Sequence, residues 1–245
     1  MQEVKKYIYF HLCTLGDWYK ISTSMLNRVK ETGLYDEVGE VRIFLYGAAV
    51  NTSFVSNHYP KKYGEKIKIC FISEDMSLRE INTLDVLKDD ASKELFNVLY
   101  IHAKGATSWN FEPETIQPMS SWLEYMMYFN INKWKNCIEF LNEGFDTVGV
   151  DLKNKNPNGE HGVHYSGNIW WSSSKHINTL KVPSDLNLYG TRLDAENWIC
   201  SNNSNSISLW NTEEINLYTE VYDKNNYIDK EFKINSYVIK KGNII

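Results

Sequence analysis

Four short apolar segments within the first 105 residues limit most strongly what this chain can fold into. They are YIYFHLC (7–13), EVRIFLYG (40–47), KIKICFIS (66–73) and NVLYIHAKG (97–105). Each is short and rich in β-branched or aromatic residues, which reads as a buried strand. Between the first two, residues 17–32 place Trp18, Ile21, Met25 and Val29 on one helical stripe. Asp17 is the expected N-cap and Gly33 the expected stop. Leu84 to Leu95 reads as a short helix before the fourth strand. Strand–helix–strand order predicts an α/β fold with a mostly parallel sheet and helices on both faces. Ligands in such sheets sit beyond the carboxyl ends of the strands. That rule places His11 to Thr14, Gly47 and His102 to Gly105 at one rim.

The second half alternates less regularly. A long helix is expected from about Ser120 to Asn142, with Leu123, Met126, Met127, Trp134, Ile138 and Leu141 at helical spacing and Gly144 ending it. FDTVGVDL (145–152) reads as a fifth strand, 153–162 as a polar loop, and VHYSGNIWWSS (163–173) as a sixth strand. Short helices are expected at 173–180 and 194–200. The tail from Ser201 alternates in YTEVYDK and FKINSYVIKK, which suggests a terminal hairpin or wrapping strands. No internal repeat or linker divides the chain, so one domain spanning 1–245 is expected.

Composition excludes several classes. Lys and Arg number 26 against 31 Asp and Glu, a net charge of −5, which argues against a protein that binds nucleic acid through a basic face. No apolar run is long enough to span a membrane. The N-terminal residues lack the pattern of a signal peptide. Cys13, Cys70, Cys137 and Cys200 form no C-x-x-C pair, so neither a zinc site nor a disulfide framework is expected, and a reducing cytoplasm is the default. Walker, G-x-G-x-x-G, G-x-S-x-G and H-E-x-x-H motifs are absent, which removes support for the chemistries they carry. The 8 Trp and 16 Tyr suit either stacking of flat ligands or a thick core.

Three constellations carry candidate chemistry. In YIHAKGATS (100–108), His102 and Lys104 point the same way from a strand end, and Gly105 permits close backbone approach. That pair suits a phosphate or diphosphate, although a solvated strand end reads equally well. In HYSGNIWW (164–171), Ser166, Gly167 and Asn168 beside Trp170 and Trp171 offer polar edges and an apolar face to a sugar ring. Neighbours on a strand alternate, so only one of the two tryptophans can face a cleft. A strand of buried aromatics accounts for one Trp but not the whole run. In TRLDAENWI (191–199), Asp194 and Glu196 precede an aromatic helical stripe. Either could take a proton from a hydroxyl, or simply favour a helix N-terminus. His58, His161 and His176 read as loop or surface residues, with His161 a weak site candidate.

These motifs in this order resemble a family of GT-A type glycosyltransferases of bacterial surface-glycan loci and large DNA viruses. The resemblance runs over residues 7–200: YIYFHLCTLGDWYKI, GLYDEV, E-x-x-T-L at 80–84, YIHAKG, the W-x-x-Y-M-x-Y-F-x-I-x-x-W-x-x-C helix, FDTVGVDL, HYSGNIWW and R-x-x-x-E-x-W-I. It implies a nucleotide-binding half over 1–110, an acceptor and catalytic half over 111–200, and a C-terminal extension over 201–245. It implies transfer of a sugar from a UDP-, GDP- or dTDP-linked donor to a glycan hydroxyl, with inversion. His11, Cys13, Thr14, Glu80, Thr83, His102, Lys104 and Gly105 would bind the donor. His164, Ser166, Gly167, Asn168, Trp170, Trp171 and Arg192 would hold the sugar or acceptor, and Glu196 would be the base. The chain departs from the GT-A pattern where Asp-x-Asp usually holds a metal: His102-Ala103-Lys104 stands there. No required cofactor is therefore expected. Mn2+ or Mg2+ is the alternative, with Asp75 or Asp151 then suspected as ligands. A sugar-binding module without catalysis, or a transferase acting on modified nucleic-acid bases, are the rival readings.

Overall fold

The computed structural model describes residues 4–103, 113–154, 162–186, 193–213, 215–241 and 243–244. The first half runs β1 (Lys5–Cys13), α1 (Trp18–Glu31), α2 (Leu34–Glu37), β2 (Glu40–Tyr46), α3 (Ala49–Tyr63), β3 (Ile67–Ser73), α4 (Ile81–Ala91) and β4 (Phe96–His102). The second runs α5 (Pro113–Met127), α6 (Trp134–Asn142), β5 (Thr147–Gly149), β6 (Leu152–Lys153), β7 (His164–Tyr165), β8 (Trp170–Ser173), α7 (Ser174–Ile177) and α8 (Leu193–Trp198). β9 (Ser204–Ser208), β10 (Asn235–Lys240) and β11 (Asn243–Ile244) complete it.

Nine strands form one sheet in the order β11-β10-β9-β5-β8-β4-β1-β2-β3, and β6 pairs with β7 apart from it. β1 pairs in parallel with both β2 and β4, and β2 in parallel with β3. β8 runs antiparallel to β4 and β5, and β10 antiparallel to β9 and β11, while β5 and β9 are parallel. Only β8 and β10 therefore run against the rest, and the sheet is mostly parallel in strand direction. The strands of the C-terminal tail join this same sheet.

Alternation along β1 explains why both faces are covered. Ile8, Phe10 and Leu12 enter one core with Met25, Val29, Val55 and Tyr125, from α1, α3 and α5. Tyr7 and Tyr9 enter the other with Leu84, Leu87, Ile177 and Trp198, from α4, α7 and α8. Two-sided burial is why the strands read as nearly continuous apolar runs. Each fully buried side chain such as Phe10 contributes roughly 1.5–3 kcal/mol.

Several boundaries differ from the sequence expectation, each for a local reason. Residues 49–63 form a full helix whose amphipathic pattern is blurred in the sequence by Asn, Ser and an internal Pro60. The short helix is Ile81–Ala91 rather than 84–95. Asp17 sits at the N-cap of α1 but makes no side-chain cap bond, whereas Gly33 ends that helix with φ +75°. The long helix begins earlier, at Pro113, and is broken by a π-helical stretch at Tyr128–Asn132. The fifth strand stops at Gly149, because Asp151 takes φ +49° and turns the chain toward β6. The sixth strand is two strands, because Gly167 (φ +91°) and Asn168 (φ +53°) make a turn between β7 and β8. YTEVYDK forms turns, and only the later part of the tail is strand.

Close packing between β5 and β7 yields a stability prediction. A Cβ added to Gly149 would lie 2.6 Å from a ring carbon of Tyr165. That ring is fully buried, and its hydroxyl is tied to Thr147 and to the Ile207 carbonyl. It cannot yield, so Gly149→Ala is expected to cost about 1–3 kcal/mol in urea unfolding. An unchanged midpoint would show that this contact is loose.

Candidate functional site

Strand order reverses at β1: the chain proceeds outward through β2 and β3, then returns to place β4 on the other side. The crevice between the carboxyl ends of β1 and β4 is where such sheets bind ligands. His11 and His102 lie opposite each other in that register. Both project to the face shared with Tyr9 and Tyr100, because side chains two apart on a strand point the same way.

A polar network fills this corner. Glu80, at the entry to α4, accepts from Tyr100 OH and from Asn168 Nδ2, both at 2.7 Å on Oε2. Its Oε1 faces His102 Nδ1 at 3.7 Å. His102 Nε2 donates to the Gly167 carbonyl at 2.7 Å, an assignment the carbonyl forces because it can only accept. Asn168 Oδ1 accepts from Trp170 Nε1 at 2.8 Å. Carboxylate on one side and indole N–H on the other leave the Asn168 amide a single orientation. Behind these, His11 Nδ1 stands 2.9 Å from Thr83 Oγ1, which is 3.3 Å from Tyr46 OH, and Asn82 Nδ2 donates to that hydroxyl at 3.0 Å.

Solvent reaches the front of the network and not its back. Glu80 and His102 keep 19% and 14% of their side chains exposed, whereas His11 and Thr83 are buried. Burial, opposed by Glu80 and reinforced by His102, lowers the His11 pKa to about 4, so its ring is neutral at neutral pH. Burial first, then Glu80, holds the Tyr100 phenol well above its ordinary pKa, so it remains a donor to the carboxylate.

The network thus joins His11, Glu80, Thr83, His102, Gly167 and Asn168, drawn from two groups expected to bind different parts of a ligand. Other expected residues lie elsewhere or are committed. Thr14 is buried, and its hydroxyl donates to the Tyr46 carbonyl at 3.1 Å, clamping β1 to β2. Cys13 is half-buried. Ser166 is half-buried, and its N–H donates to the Asp151 carbonyl. His164 is buried in β7, with Nδ1 3.0 Å from the Gly162 carbonyl. Lys104, Gly105, His161 and Arg192 lie outside the described residues.

The expectation that one tryptophan faces the cleft is corrected. Trp170 and Trp171 are both fully buried, on opposite faces of the sheet. Trp170 stacks on Tyr100 at 5.0 Å, and Trp171 donates to the Asn130 carbonyl at 2.8 Å. Neither presents a free face to a sugar. Glu196 is half-buried on α8, which packs against α4 and β7. Trp198 of the same helix lies 6.4 Å from Trp170, so α8 borders the network.

Sequence reasoning missed Tyr46, Asn82 and Tyr100. Tyr100 carried a signal: it precedes His102 by two, on the same side of one strand. Tyr46 and Asn82 carried none, since their partners come from different elements.

Among the described residues, no three His, Cys, Asp or Glu side chains come together as a metal site. Asp75 is exposed and caps the turn at Met76–Leu78 through Ser77. Asp151 is buried and accepts from the Thr212 N–H and hydroxyl at 2.7–3.0 Å. Both carboxylates are thus committed to hydrogen bonds within the chain.

No protein-family model matches the chain, and no curated protein is significantly similar to it. Among solved structures, it is similar to 4-diphosphocytidyl-2C-methyl-D-erythritol synthase from Anaerococcus prevotii. Identity is 14%, the TM-score 0.38, and the match covers 72% of this chain and 74% of that one. The chemistry of this chain therefore rests on its own residues.

The buried neutral imidazole gives a pH prediction. A histidine whose folded pKa lies below its unfolded value of about 6.5 leaves stability intact above that value. Stability is then lost as pH falls toward 4, by roughly 3 kcal/mol at about 1.4 kcal/mol per pKa unit. Urea unfolding of wild type and His11→Asn should differ less at about pH 4.5 than at about pH 7.5, by roughly 2–3 kcal/mol. A constant difference would mean that His11 does not titrate abnormally.

Proposed function

We propose that the chain is a glycosyltransferase of GT-A type, moving a sugar from a nucleotide-linked donor to a glycan hydroxyl. The observation that carries this reading is the Glu80-centred network at the crevice between β1 and β4. It sets acceptors and donors at fixed angles beside a partly exposed histidine, with Lys104 two residues further on. Preorganised polar groups of this kind orient hydroxyl-rich ligands at no reorganisation cost during reaction.

In this reading the donor lies over the carboxyl ends of β1 and β4. Glu80, held in place by Asn168, accepts from its hydroxyls, His102 lies toward the diphosphate, and Lys104, two residues further along the chain, supplies positive charge to it. Glu196, from the bordering helix α8, takes the proton of the acceptor hydroxyl. The acceptor oxygen bonds to the anomeric carbon as the bond from that carbon to the phosphate oxygen breaks. The bonding pair leaves with the nucleoside diphosphate, where the positive charge of Lys104 stabilises the added negative charge. The burial of both tryptophans removes them as a stacking platform and assigns them to holding Asn168 and Asn130 in place.

A thermal-shift screen against UDP-, GDP-, dTDP- and CMP-sugars, with and without manganese, tests the reading. A cognate donor at a hundred times its Kd stabilises the native state by about 2.7 kcal/mol. No shift with any donor would defeat it. With a donor in hand, Glu196→Gln should remove at least about a hundredfold of turnover while leaving donor affinity nearly intact. Equal loss of both would demote Glu196 to a structural role. Lys104→Ala should weaken nucleoside-diphosphate binding about tenfold or more, the effect of one charge-assisted contact.

A further inference from the structure

Helices α1 and α3 lie side by side on one face of the sheet. Ser22 Oγ and Tyr59 OH are 2.6 Å apart, and Tyr63 OH donates to the Thr23 carbonyl at 3.4 Å. Both helices start at the rim where the crevice opens, α1 shortly after Thr14 and α3 shortly after Gly47. Their inner sides bury Met25, Val29, Val55 and Tyr59.

Their outer side breaks the usual rule that such a surface is polar. Tyr19 is 46% exposed and Phe54 37%, with their rings edge to face at 5.6 Å. Leu15, at 44%, lies just before α1, and Val50, at 74%, lies one turn before Phe54 on α3. Contiguous exposed apolar surface edged by polar groups marks an interaction site.

Charge identifies the partner. The chain as a whole carries −5, yet no Asp or Glu occurs from Trp18 to Lys30 or from Ala49 to Tyr63. Asp17, Glu31 and Glu65 stand only at the helix ends. Arg28 is taken by Glu124 at 2.7 Å and Lys30 donates to the Tyr63 carbonyl at 3.3 Å, while Lys20, Lys61 and Lys62 are exposed. Lys62 Nζ lies 6.0 Å from the centre of the Tyr19 ring, so cation and aromatic form one patch. A second copy of the same face would bring lysines against lysines. Aromatic rings settle at the headgroup level of a bilayer, and flanking lysines pair with anionic lipid.

We propose that the outer face of α1 and α3 docks the protein on an anionic lipid surface. The inference does not depend on the transferase reading, because the assay below contains no nucleotide sugar and either can fail alone.

Co-sedimentation of the full chain with phosphatidylcholine vesicles, with or without about one-third phosphatidylglycerol, tests it. Binding is expected only with the anionic vesicles and should weaken as salt rises. Lys61→Ser with Lys62→Ser should reduce the partition coefficient roughly twentyfold or more, at about fivefold per lysine. Tyr19→Ser with Val50→Ser should weaken whatever binding survives high salt. All four side chains are exposed, so an unchanged melting temperature checks that each variant is folded. Equal binding to both vesicle types, no binding to either, or unaltered binding by folded variants would overturn the proposal. Self-association through this face, seen as a light-scattering mass that halves in Tyr19→Ser with Val50→Ser, would overturn it too.

Discussion

Parallel pairing of β1 on both sides organises this molecule. β2 binds one edge and β4 the other, so the chain reverses its direction of travel across the sheet at β1. The connections on either side of that reversal diverge and leave a crevice at the strand ends. Register then decides what faces the crevice: His11 stands opposite His102. A one-residue slip of β1 would turn the His11 ring to the other core, where Phe10 and Leu12 now sit.

Around that pair the structure satisfies a carboxylate. Glu80 receives a phenol and an amide, and each donor is itself held by the sheet or by an indole. A low-dielectric corner penalises any group left without a partner, so the network favours one arrangement over many. Two local strains serve it. Asn168 takes a left-handed conformation that Asn tolerates better than most residues. Gly167 brings its carbonyl to His102 where an added Cβ would meet Met126 Sδ at 2.3 Å. The odd mixture of small, amide and indole residues in HYSGNIWW is thus a turn that aims polar atoms, with its aromatics buried behind it.

Much of the first half was legible because two-sided burial writes itself as continuous apolar runs. The strands at 7–13, 40–47 and 66–73 stand within two residues of their expected ends. Helix α3 was illegible because half of its residues face solvent or a neighbouring helix and its pattern is weak. The break at Asp151 was illegible because a left-handed residue other than glycine leaves no periodic mark, and the one at Gly167–Asn168 because it falls inside a run of strand-forming aromatics. In the site, His102, Gly167 and Asn168 could be singled out by their unusual neighbours. Tyr46 and Asn82 could not, since each is ordinary where it stands and meets its partners only after folding.

Sequence by itself determined the α/β alternation, the two-faced core and the rim on which polar residues gather, because these follow from the period of burial along single elements. It also placed the lysines and rings of α1 and α3 within two acid-free stretches. Only the tertiary structure decided which residues of that rim meet. Hydrogen bonds between Glu80 and Asn168, or His102 and Gly167, join positions 88 and 65 residues apart, a distance no local pattern spans. It decided the fate of Trp170 and Trp171 as well, because a strand closed in by neighbours on both edges and cores on both faces has no free side.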